Sequence, residues 1–171
     1  MSTTSKTTAN PTVAMLLTLL DEAYSCKSWH GTNLRGAVRG LSAAQAGWRL
    51  PAGGHSIADI VTHCAYWKYT VRRRLRGEPR GSFPLAGSNW FELPAELSAQ
   101  EWKGCVALLH EQHQQLVAAV GALRPRELAQ TAPGGKVKIG MLVRGAALHD
   151  VYHAGQIQSI KGQGKRGEVA T

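Results

Sequence analysis

No stretch of this chain stays apolar for the ~20 residues that a helical membrane span requires, so no transmembrane segment is expected and no membrane partner. Cysteine is scarce: Cys26, Cys64 and Cys105 are odd in number, far apart and without CxxC spacing. That argues against a disulfide framework and against a cysteine zinc site, and leaves buried thiols. Carboxylates are few as well, 11 Asp and Glu against 20 Lys and Arg. A di-iron carboxylate bundle needs paired Glu-x-x-His motifs with further glutamates, and only Asp150 with His153 approximates one. The opening MSTTSKTTAN is polar, and the VAMLLTLL that follows it leads into charged sequence rather than a small-residue cleavage site. No secretory signal is read there, and the expected compartment is the cytoplasm. There is no internal repeat and no strand to defend, although KVKI could pair locally.

The charge imbalance leaves a formal net charge of +9, concentrated in a run at Arg72, Arg73, Arg74 and Arg76. Clustered cations can neutralise phosphates. Consecutive arginines on a helix point in several directions, however, and no helix-turn-helix, zinc finger or aromatic RNA-binding signature accompanies them. A solvated helix end is the favoured reading, and nucleic acid is not an expected partner.

At 171 residues the chain suits one domain with a single core. Residues 11–162 are expected to form it, between a disordered N-terminal tail (1–10) and a flexible C-terminal tail (163–171). Its periodicity is that of an all-α protein with four principal helices. Asn10 and Pro11 give a cap and a helix-initiating proline, and Met15, Leu16, Leu19, Leu20 and Ala23 an apolar stripe. The WHGT segment interrupts this helix around 28–32, with Gly31 at the bend, and a second piece follows through Leu34, Val38 and Leu41.

Ser56 and Asp59 resemble a capping box for a second helix that reaches about Arg76, with Ile57, Ile60, Val61, Cys64, Trp67, Val71 and Leu75 as its buried stripe. Gly77 and Pro79 stop it. Residues 78–97 carry Pro79, Pro84 and Pro94 and hold no periodicity. So long a connection can run back along the edge of a bundle and make helices two and three parallel.

A further capping box, Ser98 to Glu101, opens helix three, which carries Trp102, Val106, Leu109, His113, Leu116, Val120 and Leu123 and ends before Pro125. After a loop with Pro133, Gly134 and Gly135, a fourth helix is expected from Ile139 to Lys161, with Gly162 as its stop.

On that last helix the apolar seam carries imidazoles. Leu142, Ala146, His149, His153, Gln156 and Ile160 recur at spacings of three and four, so they share one face that looks inward. Histidines at i and i+4 stand roughly 5–6 Å apart at Cβ, close enough for both to bind one ion at about 2.0–2.1 Å. His63, on the edge of the second helix's stripe, is the natural third ligand, and Trp67 one turn later would cover one side of the pocket. Three nitrogens with open positions make a catalytic rather than a closed structural metal site.

SIADIVTHCAYW together with LHDVYHAGQI resembles the DinB/YfiT-like superfamily, the likeness running from about Val13 to Lys161 and including the WHG segment and the tryptophan that opens helix three. The resemblance implies a four-helix bundle of up-down-down-up topology, with a long connection between helices 2 and 3. It implies a divalent metal held by His63, His149 and His153, with nickel, zinc or iron as candidates, and for some members transfer of a low-molecular-weight thiol. On this basis the chain is read as a metal-dependent enzyme that transfers a low-molecular-weight thiol to an electrophilic acceptor. A metal-dependent hydrolase and a noncatalytic, stress-related metal- or ligand-binding protein are the alternatives. The expected partners are a small-molecule substrate or thiol and a second copy of the chain, since homodimers occur in the family.

Around the ligands, Gln156 is placed to contact a bound ligand, while Tyr152, about 100° round the helix from His153, serves packing or an outer shell. Trp67, Trp29 and His30 are candidates for the pocket entrance, His30 equally for closing a turn. His113 reads as a core histidine, His110 as exposed and His55 as a loop residue. HDVYH also differs from the zincin HExxH by aspartate for glutamate, which would make Asp150 a general base. Aspartate is one methylene shorter, and beyond His153 only Glu168 could supply a third carboxylate ligand, so a protease is disfavoured.

Overall fold

The computed structural model describes residues 10–50, 53–81 and 83–169, with side chains to Gly164. Among these are six α-helices, α1 (Pro11–Tyr24), α2 (Leu34–Val38), α3 (Ala43–Gly47), α4 (Ile57–Leu75), α5 (Ala99–Gly121) and α6 (Ile139–Val169), with a 3-10 turn at Pro125–Ala129 and no β-strand. The fold is all-α, as expected.

Helix starts follow local chemistry. The Asn10 side chain accepts from the Thr12 amide at 3.0 Å, with Pro11 supplying the first helical φ. Both expected capping boxes close: Ser56 with Asp59 on α4, and Ser98 with Glu101 on α5. A third, Ser42 with Gln45, starts α3, a short helix not anticipated from the sequence because five residues are too few to show a periodicity. Gly77, at φ 66, ends α4 in a left-handed conformation that a side chain would strain, and Gly31, at φ 104, turns the chain between α1 and α2.

Several expected boundaries move. α1 ends at Tyr24, several residues before the WHGT segment, and its buried side is Val13, Leu16, Leu20, Ala23 and Tyr24, leaving Met15 exposed. α2 stops at Val38 rather than reaching Leu41. The loop after Pro125 contains the 3-10 turn, and the KVKI strand pairing reduces to a single bridge between Thr131 and Lys138. Gly162 does not stop the last helix, which continues to Val169 through the first part of the expected C-terminal tail. A glycine costs an α-helix about 1 kcal/mol but ends it only when it turns left-handed, and Gly162 does not. The expected N-terminal tail lies outside the described residues apart from Asn10, the N-cap of α1.

α1, α4, α5 and α6 close a ring, α4 packing on α5 and α6, and α1 on α5 and α6. Its interior holds two apolar clusters. One gathers Ile57, Val61, Cys64, Leu109, Ala154 and Ile157 with α2, and the other Leu16, Leu20, Val71, Leu116, Val120 and Val143. Between them lies a polar layer of Lys68, His113 and Asp150, all buried, with the Tyr24 ring stacked 3.8 Å from the His113 ring. Lys68 Nζ donates to Asp150 and lies 3.4 Å from His113 Nδ1. His113 is therefore a core histidine, as expected. His110 is half-buried rather than exposed, because its Nδ1 lies 3.3 Å from the Tyr24 hydroxyl.

The connection from Glu78 to Leu97 is held to the bundle by aromatics. Phe83 and Phe91 meet the Tyr66 ring edge-on at centroid distances of 5.4 and 5.6 Å, and the Gly81 amide donates to the Tyr69 hydroxyl at 3.1 Å. The segment thereby passes over the end of the molecule where the histidines of α4 and α6 meet.

Candidate metal centre

His149 and His153 stand one turn apart on α6, and His63 faces them from α4. Nε2 of His149 lies 3.1 Å from Nε2 of His63 and 3.1 Å from Nε2 of His153. Two nitrogens bound at about 2.0–2.1 Å to one ion stand roughly 2.9–3.4 Å apart for angles from square to tetrahedral, so this spacing fits a shared cation.

Hydrogen bonding at the far side of the rings explains the convergence. His63 Nδ1 lies 2.9 Å from the main-chain carbonyl of Asn89, and His153 Nδ1 lies 2.6 Å from Oε1 of Gln156. Both oxygens only accept, so each Nδ1 carries the proton and each Nε2 presents a lone pair. His149 sits between two lone pairs and has one Nε2 proton at most, which can satisfy only one of them. A divalent cation satisfies all three.

Electrostatics favour the same state. Burial, then the nearby His153, His63 and Lys68, lower the His149 pKa to about 3, and burial, then His63, lowers that of His153 to about 4. Burial also lowers the His63 pKa, against the raising effect of its bond to Asn89. All three imidazoles are neutral at physiological pH and available as ligands.

The surroundings contain groups not singled out by sequence. The Trp90 indole lies between two imidazoles, stacked on His63 at 4.0 Å and on His55 at 3.4 Å between centroids. His55 thus belongs to the site's wall rather than to a free loop. Asn89 gives its carbonyl to His63 and its side-chain oxygen to Trp67 Nε1 at 2.9 Å, from a left-handed backbone at φ 67. Neither Asn89 nor Trp90 lies on a periodic segment, so no pattern could have marked them. The one signal was that so long a connection needs a function.

The expected pocket residues divide. Trp67 stands beside the histidines, its ring centroid 6.3 Å from both His63 and His149. Tyr152 and Gln156 line the cavity above them, with Gln156 Nε2 donating to the Tyr152 hydroxyl at 3.1 Å. Gln156 is committed to His153 and Tyr152 rather than free to meet a ligand first. Trp29 and His30 do not line the cavity: both are exposed at the turn after α1, Trp29 fully, because that helix ends before it can carry them inward.

Asp150, adjacent in sequence to His149, points the other way. It is fully buried and paired with Lys68, so it is not poised as a general base, in keeping with the rejection of a zincin. Cys64, His149 and Asp150 also bring ligand-type atoms within 4.8 Å of one another. Lys68 pairs with one oxygen of that carboxylate and offsets its charge, and burial pushes the Cys64 thiol well up, so this trio is the poorer cation site. The arginine run closes on its own helix end: Arg73 donates to the Glu78 carbonyl at 3.0 Å, and Arg76 lies 3.6 Å from the Glu78 carboxylate.

A ring of helices with three neutral imidazoles converging at one end defines an all-α protein with a site that could hold a metal ion. Residues 28–157 match the family model of the DinB superfamily. The match takes in all three histidines and most of the chain, and the protein belongs to that superfamily. No curated protein and no solved structure matches the chain. No helix among the described residues is long and apolar enough to cross a membrane.

Proposed function

We propose that His63, His149 and His153 hold a divalent metal ion, nickel, zinc or iron, and that the protein is a metal-dependent enzyme transferring a low-molecular-weight thiol to an electrophilic acceptor. The observation that carries the metal is the convergence of three Nε2 lone pairs whose Nδ1 protons are already committed at two of the rings. Family membership and the open cavity beside them support the enzyme reading. We take the helices to follow the up-down-down-up order of the resembling fold.

A divalent ion among three neutral imidazoles keeps most of its charge and supplies Lewis acidity, lowering the pKa of a thiol or water brought to it. The chain supplies the rest. Asn89 and Gln156 hold the ligand tautomers, Trp90 shields His63 from water, and the polar layer behind the site fixes Asp150 away from it. Because the Tyr152 hydroxyl accepts from Gln156, its own proton is free to be donated into the cavity, where it could stabilise a leaving group. In the transfer, a sulfur lone pair forms the new bond to carbon, the leaving group departs with the electrons of the broken bond, and the thiol proton exits to solvent. No carboxylate among the described residues lines the cavity to activate water, which favours thiol transfer over hydrolysis.

Elemental analysis by plasma mass spectrometry of the tag-free protein, beside His63→Ala and His149→Ala, tests the site. Near-stoichiometric metal that both variants lose is the expected result, followed by metal-dependent consumption of thiol with electrophilic acceptors. Absence of metal even after reconstitution overturns the reading. Cleavage of ester probes without thiol makes the protein a hydrolase, and metal-dependent stabilisation without turnover makes it a binding protein.

A further inference from the structure

The positive charge of the chain is gathered at the end of the bundle away from the histidines. Residues 72–80 and 124–138 hold seven arginines and two lysines against two carboxylates, Glu78 and Glu127. These 24 of 171 residues thus carry seven of the nine net positive charges. The fold brings the two segments together. Leu75 at the end of α4, Leu123 just beyond α5, Leu128 in the 3-10 turn and Leu142 in the first turn of α6 pack against one apolar cluster. Arg72 donates to Gln115 of α5, and the Arg74 guanidinium lies 3.7 Å from where a side chain on Gly135 would begin. Arg76 stands about 20 Å along α4 from His63.

A helix C-terminus favours cations, and one or two would serve the dipole of α4. Nine across two segments exceed that need. Local acids do not balance them. The Glu78 carboxylate is shared, 3.7 Å from Arg72 and 3.6 Å from Arg76, and Glu127 is taken by Arg124 at 3.0 Å. Arg80, Arg126 and Lys136 are exposed and form no ion pair among the described residues. Like charges so gathered repel one another until an anion neutralises them.

We propose that this end of the bundle binds the phosphate backbone of a nucleic acid without regard to base sequence. On its own helix the arginine run is a solvated end; the second segment makes it a surface. A duplex presents one negative charge per ~1.7 Å of axis, so an end face two helices wide, about 20 Å, meets several phosphates at once. Arginine outnumbers lysine seven to two here, and its planar fork suits the paired oxygens of a phosphate. No helix projects from this end to read bases in a groove, since α4 and α5 finish there and α6 begins. An anionic membrane is the poorer fit: interfacial anchoring draws on exposed aromatics, and Trp29, Trp67 and Tyr152 lie outside these segments. The surface is separate from the metal site and needs no metal.

The test is fluorescence anisotropy of the tag-free full chain with a labelled mixed-sequence DNA duplex of ~20 bp. If about four phosphates are neutralised, affinity should fall about 100-fold between about 50 and about 200 mM salt, and a second duplex of unrelated sequence should bind within about twofold. Arg80→Ala, Arg126→Ala and Lys136→Ala together are expected to weaken binding about tenfold or more and to make the salt dependence shallower. Lys27→Ala, Arg35→Ala and Arg39→Ala together remove the same charge from exposed positions elsewhere and should change it by no more than about twofold. Absence of binding, or an equal loss in the two triple variants, overturns the proposal. So does polyglutamate that displaces the duplex as well as unlabelled duplex does, which makes the partner an acidic protein. Binding to phosphatidylserine-rich vesicles without binding to the duplex makes it a membrane and overturns the proposal as well.

Discussion

The main-chain carbonyl of Asn89 stands 2.9 Å from Nδ1 of His63, and Asn89 is at φ 67. One residue in an irregular segment thus orients a ring on α4 toward two rings on α6. Among the described residues Asn89 is the sole non-glycine with positive φ, a conformation asparagine tolerates better than most side chains. Asn89→Ala is expected to weaken metal binding by about 10–100-fold, the usual effect of losing an outer-shell partner. Asn89→Gly keeps both the carbonyl and the left-handed backbone and should weaken it less. Chelator competition on the two variants measures the difference, and equal losses would mean that the side-chain bond to Trp67, not the backbone conformation, holds His63.

Gln156 does for His153 what Asn89 does for His63, through a side chain rather than the backbone. Gln156→Leu removes the acceptor and frees the ring to adopt the other tautomer, so metal affinity should fall by about tenfold or more. Gln156→Glu restores an acceptor, and a stronger one, so it should bind metal at least as well as the native chain. Chelator competition again provides the comparison, and a leucine variant with native affinity would remove Gln156 from the site's machinery.

The buried pair of Lys68 and Asp150 lies behind the metal centre, and one Asp150 oxygen has no hydrogen-bond partner. Removing one charge leaves the other stranded, so Asp150→Ala should cost about 3–5 kcal/mol in urea unfolding. Lys68→Met combined with Asp150→Leu removes both charges and should recover most of that loss. A double variant as unstable as the single one would show that the pair itself, with His113 and Tyr24 around it, stabilises the fold.

Acid should destabilise the metal-free protein well before its carboxylates titrate. Burial, then Lys68 and His110, lower the His113 pKa to about 3, and His149 and His153 are lowered to about 3 and 4. Below about pH 6.5 the unfolded chain takes up protons that the folded chain refuses, so stability falls as pH drops toward 4. Each such histidine contributes at most about 1.4 kcal/mol per pH unit, less for the partly solvated His149 and His153. Urea midpoints between pH 7 and 4 should show this slope, and His113→Gln should flatten it. A pH-independent midpoint would mean the rings are protonated in the folded state.

The sequence alone determined the features that depend on near neighbours. Both capping boxes and the starts of α1, α4 and α5 follow from residues three or four apart, where helix geometry enforces contact; of the expected inward face of α6, Ala146, His153 and Ile160 are buried while Leu142, His149 and Gln156 are half-buried at its edge. His149 and His153 were legible for that reason, and His63 was read as the candidate third ligand from its place on the second helix, as the superfamily's motif also implied. Features set by contacts between distant segments were not. The exposure of Trp29 and His30 depends on where α1 stops, and α6 continues past Gly162 because nothing at that glycine turns left-handed.

Only the tertiary structure placed Asn89 and Trp90 against His63 and buried Lys68 to pair with Asp150. Periodicity assigns a residue to a face of its own element. Which atoms meet across elements, and hence the tautomers and the character of the site, is fixed only when the helices and the long connection pack together.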